Sequence, residues 1–191
     1  MKQFVFFFLG LIMFQSARSQ YWQQAADYTM EVALDPENAT YSGVQKIVYT
    51  NNSPETLNKV FYHLYFNAFK PGSEMAIRQK NSADKNTRFK INLDSLTPNQ
   101  EGYIRVSGLT QNGVLLNPVD SETILEVPLH TPIAPGEKAI FELAFEGHVP
   151  NVIRRAGKNS REGVAFSMAQ WYPKMAEYDR EGWNADPYTG R

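Results

Sequence analysis

Apolar residues occupy every second place from Tyr28 to Leu34, with Tyr28, Met30, Val32 and Leu34 on one side and Thr29, Glu31 and Ala33 on the other. A period of two marks a strand with one buried face and does not fit an amphipathic helix. Asp35-Pro36-Glu37-Asn38 supplies turn chemistry, and residues 40–50 resume the pattern with Val44, Ile47, Val48 and Tyr49. The two runs are expected to form an antiparallel hairpin. Residues 59–69 are apolar or aromatic on both faces, the pattern of a strand covered on both sides. Residues 70–86 are polar behind Pro71-Gly72 and read as a surface loop with one helical turn at 74–79. Shorter strands are expected at 88–93, 103–109, 114–117, 123–128 and 138–146, and Gln111-Asn112-Gly113 forms a hairpin turn needing positive φ. No amphipathic helical window competes, and no internal repeat is present. The fold class expected is all-β, an antiparallel saddle-like β-sandwich over residues 20–168, followed by an irregular aromatic segment at 169–191.

Ahead of these strands, Lys2 precedes an apolar run at 4–14, and Ala17 and Ser19 are placed as the small residues of a cleavage site. Residues 1–19 therefore read as a secretory signal peptide. The run is shorter than the roughly 20 apolar residues that span a bilayer, so no membrane span is expected after cleavage. The destination is the periplasm or the outside of a bacterial cell. The chain has no cysteine, which leaves stability to an ordinary core and excludes thiolate metal sites and a lipidated N-terminal cysteine. Its 19 Lys and Arg face 20 Asp and Glu, and losing Lys2 and Arg18 makes the remainder more acidic. Nucleic acid is not an expected partner, since no basic field exists to recruit it. Asn38-Ala39-Thr40 and Asn51-Asn52-Ser53 match the glycosylation acceptor pattern, which matters only in a eukaryotic host.

Residue types that carry chemistry are sparse. His63, His130 and His148 are the three histidines, none stands three or four residues from another, and no H-E-x-x-H helix is present. The chain itself is expected to hold no metal, and His63, between Phe61 and Tyr65, reads as a packed structural residue. No G-x-S-x-G elbow, cysteine nucleophile or phosphate-cradling glycine loop appears, so no catalytic residue is assigned. The carboxylates at Glu177, Asp179 and Glu181 read as structural or solvated side chains, and Arg154, Arg155, Lys158 and Arg161 as a solvated basic loop.

The segment 169–188 is different. It gathers Trp171, Tyr172, Tyr178, Trp183 and Tyr188 among Pro173, Gly182 and Pro187, too aromatic for a solvated linker and too broken for a long strand or helix. Such a segment packs against its own domain or forms the wall of a cleft. Gln170, ahead of two aromatics, can set an amide at a cleft rim, where one acceptor and two donors suit a peptide terminus or a sugar hydroxyl.

Three groups of residues also carry a resemblance. Tyr28-x-Met30-x-Val32-x-Leu34, Tyr41-Ser42-Gly43 and Leu64-Tyr65-Phe66-Asn67-Ala68-Phe69 resemble the N-terminal β-domain of M1-family zinc metallopeptidases, the aminopeptidase N and leukotriene A4 hydrolase group. Ile133-Ala134-Pro135-Gly136-Glu137, Phe145-Glu146-Gly147 and Gln170-Trp171-Tyr172-Pro173-Lys174 with Tyr178-Asp179 and Gly182-Trp183 extend the likeness, most closely to a branch common in Bacteroidetes. The resemblance implies a non-catalytic β-domain that covers and shapes the cleft of a catalytic domain downstream of Arg191. Zinc and the catalytic residues would lie in that domain, and the substrate would be a peptide. Of the family's substrate-binding element only Gln170 matches. Tyr172 stands where the family has Glu or Gln, and a phenol is a weaker partner for an α-ammonium group. Without the resemblance, the same residues suit a freestanding secreted β-sandwich that binds glycans or proteins through Trp171, Trp183 or Tyr188.

Overall fold

The alternation that begins at Tyr28 becomes a long hairpin in which β1 (Ala25–Asp35) pairs antiparallel with β2 (Thr40–Thr50) with no break in register. Asp35 closes it by accepting from Asn38 Nδ2 at 2.6 Å and from the backbone N–H groups of Asn38 and Glu37 at 3.1 and 3.0 Å, which holds its carboxyl below the ordinary range, and Ala39 takes φ 54°. This is a computed structural model, and it describes residues 21–81, 91–151, 156–160 and 162–190. The expected signal peptide and the arginines 154, 155 and 161 lie outside the described residues.

The remaining elements, in chain order, are β3 (Leu57–His63), α1 (Glu74–Asn81), β4 (Tyr103–Gln111), β5 (Val114–Leu115), β6 (Val119–Ser121), β7 (Ile124–Ile133) and β8 (Lys138–His148). Five two-residue strands follow: β9 (Gly157–Lys158), β10 (Phe166–Ser167), β11 (Lys174–Met175), β12 (Tyr178–Asp179) and β13 (Gly182–Trp183). They form one sheet ordered β1-β2-β8-β4-β5 and a second ordered β11-β3-β7-β6, with β9–β10 and β12–β13 as small hairpins. Among the described residues, each pairing between these named strands is antiparallel. The molecule is all-β, as the alternation predicts. Asn112 and Gly113 turn β4 into β5 at φ 50° and 83°.

The core lies where the inward rows of the two sheets meet. Tyr41, Ile47 and Tyr49 of β2 and Phe141, Leu143 and Phe145 of β8 are buried with Val60 and Tyr62 of β3 and Leu125 and Val127 of β7. Gly147 is opposite Tyr41 in register, and a Cβ there would collide with Cζ and Oη of Tyr41. The glycine thus makes room for the phenol.

Four expectations change. The strand expected at 59–69 ends at His63, and residues 65–68 form a 3-10 turn. Phe66, Asn67, Ala68 and Phe69 are all buried. Asn67 replaces the lost ladder, accepting from Ile104 N and donating to Glu122 O at 2.7 Å each. The helical turn expected at 74–79 is an eight-residue helix, α1. The described end of the strand expected at 88–93 is instead a 3-10 turn at Leu93, capped by the Asn92 side chain. The apolar row of β1 is only half covered: Tyr28 and Met30 are half-buried, whereas Val32 and Leu34 are 44% and 45% exposed. β1 is an edge strand, and what covers it crosses only its first half.

Candidate functional site

The cover is the aromatic segment itself, which runs across the inward face of the first sheet and joins the second. Three side chains of β1 and β2 hold its backbone. Tyr41 Oη donates to Trp171 O at 2.6 Å, Gln45 Nε2 donates to Pro173 O at 3.1 Å, and Tyr28 Oη accepts from Met175 N at 2.9 Å. These contacts fall on residues 171, 173 and 175, the alternation of an extended chain. Between and beyond them, β11 pairs with β3 through Lys174 with His63 and Met175 with Tyr62, and Ala176 N donates to Phe61 O at 2.8 Å. Pro173, with no N–H, sits where only its carbonyl is required.

The rings fasten the same path. Trp171 packs edge-on against Tyr41 at 5.6 Å and tilted against Phe145 at 6.1 Å. Tyr172 meets Tyr28 and Trp171 edge-on at 5.8 and 5.4 Å. Trp183 lies over Tyr49, Phe61 and Tyr178, and Tyr188 packs on Tyr65 and Phe69. Trp171, Trp183 and Tyr188 are thus half-buried against their own domain. Burial raises the Tyr28 hydroxyl to about 12 and pushes Tyr41 and Tyr49 higher still, so all three stay protonated at neutral pH.

Gln170 is the exposed residue immediately before this anchored path, and its backbone is left-handed at φ 57°. That conformation costs a non-glycine residue roughly 1–3 kcal/mol, and it persists here because Trp171 behind it is fixed. Tyr172 is half-buried. The turn at 170 breaks strand alternation, so the two predicted substrate-binding residues stand in different settings: an amide in solvent and a phenyl ring wedged among others.

The histidines are held apart on β3, β7 and β8. His63 Nε2 is 3.0 Å from Asn184 O and its ring stacks on Tyr65 at 4.8 Å, with burial lowering its pKa. His148 Nδ1 is 2.6 Å from Glu101 O, and its Nε2 lies 3.3 Å from Lys158 Nζ. Among the described residues no group of three or more His, Cys, Asp or Glu could hold a metal ion, so those residues do not fit zinc. Asp179 accepts from Asn184 Nδ2 and Glu181 N at 2.9 and 2.8 Å, which keeps it ionised and makes it a structural residue of the β12–β13 turn. Asn51, in a glycosylation triplet by sequence, is fully buried with both amide hydrogens used on Glu55 O and Ile133 O.

Tyr28, Tyr41 and Gln45 were invisible as fasteners in the sequence. One signal was available: Gln45 sits in the otherwise apolar inward row Tyr41, Ile47 and Tyr49, and a polar residue there needs a partner from across the core.

No protein family and no curated protein matches the sequence. Among solved structures, the chain is similar to an M1 zinc metallopeptidase from Deinococcus radiodurans, at 17% identity and a TM-score of 0.49 over 80% of this chain and 29% of that one. A mutant of that enzyme gives 16% identity and 0.49 over the same shares, and the mutant bound to a Tyr-Ser-Ala substrate gives 17% and 0.47. The chain thus spans about 29% of the length of these structures. Among the described residues, no helix is long and apolar enough to cross a membrane.

Proposed function

We propose that this chain is the N-terminal, non-catalytic portion of an exported M1-like zinc metallopeptidase of the branch common in Bacteroidetes, and that it covers and shapes a peptide-binding cleft. The reading takes its family from the resemblance of the strand order and of residues 170–183. The structural observation that carries it is the anchoring of Trp171, Pro173 and Met175 by three side chains of the first sheet, which leaves Gln170 exposed at positive φ at the end of a rigid path. A cleft wall needs this: a polar group held to within a fraction of an ångström by elements that do not move. The exposed Val32 and Leu34 of β1 suit contact with a further domain.

In this reading zinc and the hydrolytic step belong to a catalytic domain following Arg191, and no step is assigned to residues of this chain. Gln170 would border the amino end of the peptide. Tyr172, in place of an acid or amide, gives the substrate's ammonium group no charged partner, so discrimination between free and blocked amino termini is expected to be weak.

The test is expression of the complete reading frame and assay on aminoacyl and N-acetylated peptide substrates, with and without a zinc chelator. Expected are zinc-dependent hydrolysis by the complete protein, none by residues 20–191 alone, and a secreted product beginning at Gln20. Zinc-dependent hydrolysis by residues 20–191 alone, or none by the complete protein, would overturn the reading.

A further inference from the structure

The two larger sheets have four end strands, and three of them are short: β5 and β11 have two residues each and β6 has three. The fourth, β1, has eleven. Along its outer side alternate N–H and C=O groups point away from β2. Among the described residues no other stretch of backbone bonds them. Folds ordinarily blunt such an edge with a bulge, a proline, a lysine or a covering loop. The register of β1 with β2 is unbroken, and β1 contains no Pro, Gly, Lys or Arg. Thr29, Glu31, Val32, Ala33 and Leu34 are all exposed.

The side chains select the occupant. Asp27, Thr29, Glu31 and Ala33 alternate with Met30, Val32 and Leu34, so the two carboxylates share the outward face of the sheet and the apolar row faces inward. Neither carboxylate has an ion-pair partner among the described residues. Lys46, opposite Thr29 on β2, is committed to Glu142 at 3.6 Å. A second copy paired along this edge would gather the acids of both strands into one strip with no cation from either, and like charges on adjacent strands are destabilising. A strand with cations on that face and apolar side chains on the other removes the repulsion and flanks Val32 and Leu34.

We propose that β1 is a docking edge for an extended segment of a partner polypeptide in which lysine or arginine alternates with apolar residues, added as a further strand of the first sheet. Main-chain hydrogen bonds supply the attachment, and Asp27 and Glu31 supply the choice of sequence. The added strand lies in the plane of the sheet, so the inward face of Val32 and Leu34 stays open to a further domain. The inference does not rest on the peptidase reading, since it uses neither Gln170 nor Tyr172.

The experiment is a titration of the purified protein against a fluorescent peptide of about ten residues alternating lysine with valine, read by anisotropy and by hydrogen exchange of the protein. Expected are saturation below about 1 mM and slower exchange within residues 25–35 when the peptide is bound. Glu31→Lys, at an exposed position, is expected to weaken binding about tenfold with an unchanged melting temperature, and Asp27→Lys to act in the same direction. Two further peptides carry the same charge: one groups all its lysines in a single block, the other is N-methylated throughout and cannot donate. Each is expected to bind at least about tenfold more weakly. Failure of the alternating peptide to saturate overturns the proposal. So does equal binding of the grouped or methylated peptide, which would reduce the effect to charge alone, or saturation with no slowing of exchange at 25–35. Exchange at 25–35 that slows with protein concentration alone would give the edge to a second copy and overturn it as well. Peptide hydrolysis by the complete protein is read separately and is expected to be the same in Glu31→Lys.

Discussion

At the scale of single residues, two positions hold conformations or contacts their chemistry does not favour, and each yields a prediction. Gly147 leaves room for Tyr41, whose hydroxyl anchors Trp171. Gly147→Ala is expected to destabilise the protein by about 2–3 kcal/mol in urea unfolding, because the new methyl meets an aromatic ring and the Tyr103 carbonyl oxygen. Combining it with Tyr41→Leu should cost less than the sum of the two single changes, the mark of a shared contact. Gln170, exposed and left-handed, contributes little to folding. In the complete protein, Gln170→Ala should lower kcat/KM for peptides about tenfold, mainly through KM, with an unchanged melting temperature. Equal activity in wild type and variant would remove Gln170 from the substrate's surroundings.

At the scale of elements, the segment 169–188 behaves as an inserted edge rather than a free tail. β11 adds only two residues to the second sheet, too short to hold by its own ladder, so Tyr28, Tyr41 and Gln45 of the first sheet carry much of its attachment. Trypsin is therefore expected to cut first at Arg180, in the exposed turn between β12 and β13, and to spare Lys174. The double variant Tyr41→Phe, Gln45→Leu should raise cleavage at Lys174 by about tenfold or more, since local opening then costs less. Fast cutting at Lys174 in the wild type would show that the segment is held only when another domain covers it. The strand that ended early teaches the same lesson. Residues 59–69 read as one strand from their pattern, but the chain turns at 65–68, and Asn67 there bonds the backbone of both Ile104 and Glu122.

At the scale of the whole molecule, the core is built around phenols, and this fixes its response to pH. Burial raises the hydroxyls of Tyr28, Tyr41, Tyr49, Tyr62 and Tyr65 above their ordinary value of 10.0, Tyr28 to about 12. The folded state keeps these protons at pH values where the unfolded chain releases them. Their contribution is complete below pH 10 and is lost as the pH climbs from there through 12 and above. Far-ultraviolet circular dichroism and tyrosinate absorbance are expected to change together in a cooperative alkaline transition. Titration of every tyrosine near its ordinary value, with the native spectrum intact, would contradict this packing. His63 acts in the opposite sense at low pH: burial lowers its pKa, so its contribution is present above 6.5 and lost as the pH falls through the folded-state value.

Much of this was legible in the amino-acid order. The β1–β2 hairpin, the Asn112-Gly113 turn and the all-β class follow from side-chain period and turn chemistry, which act between neighbours in the chain. The exposed Val32 and Leu34, the buried Asn51 and the fastening of residues 171–175 by Tyr28, Tyr41 and Gln45 were decided only by the tertiary structure. A hydrogen bond such as Gln45 to Pro173, 128 residues apart, leaves no local trace. Which half of an edge strand is covered depends on where a distant segment crosses it. Local sequence determines what each stretch can become, and burial by remote partners selects which polar groups become fasteners.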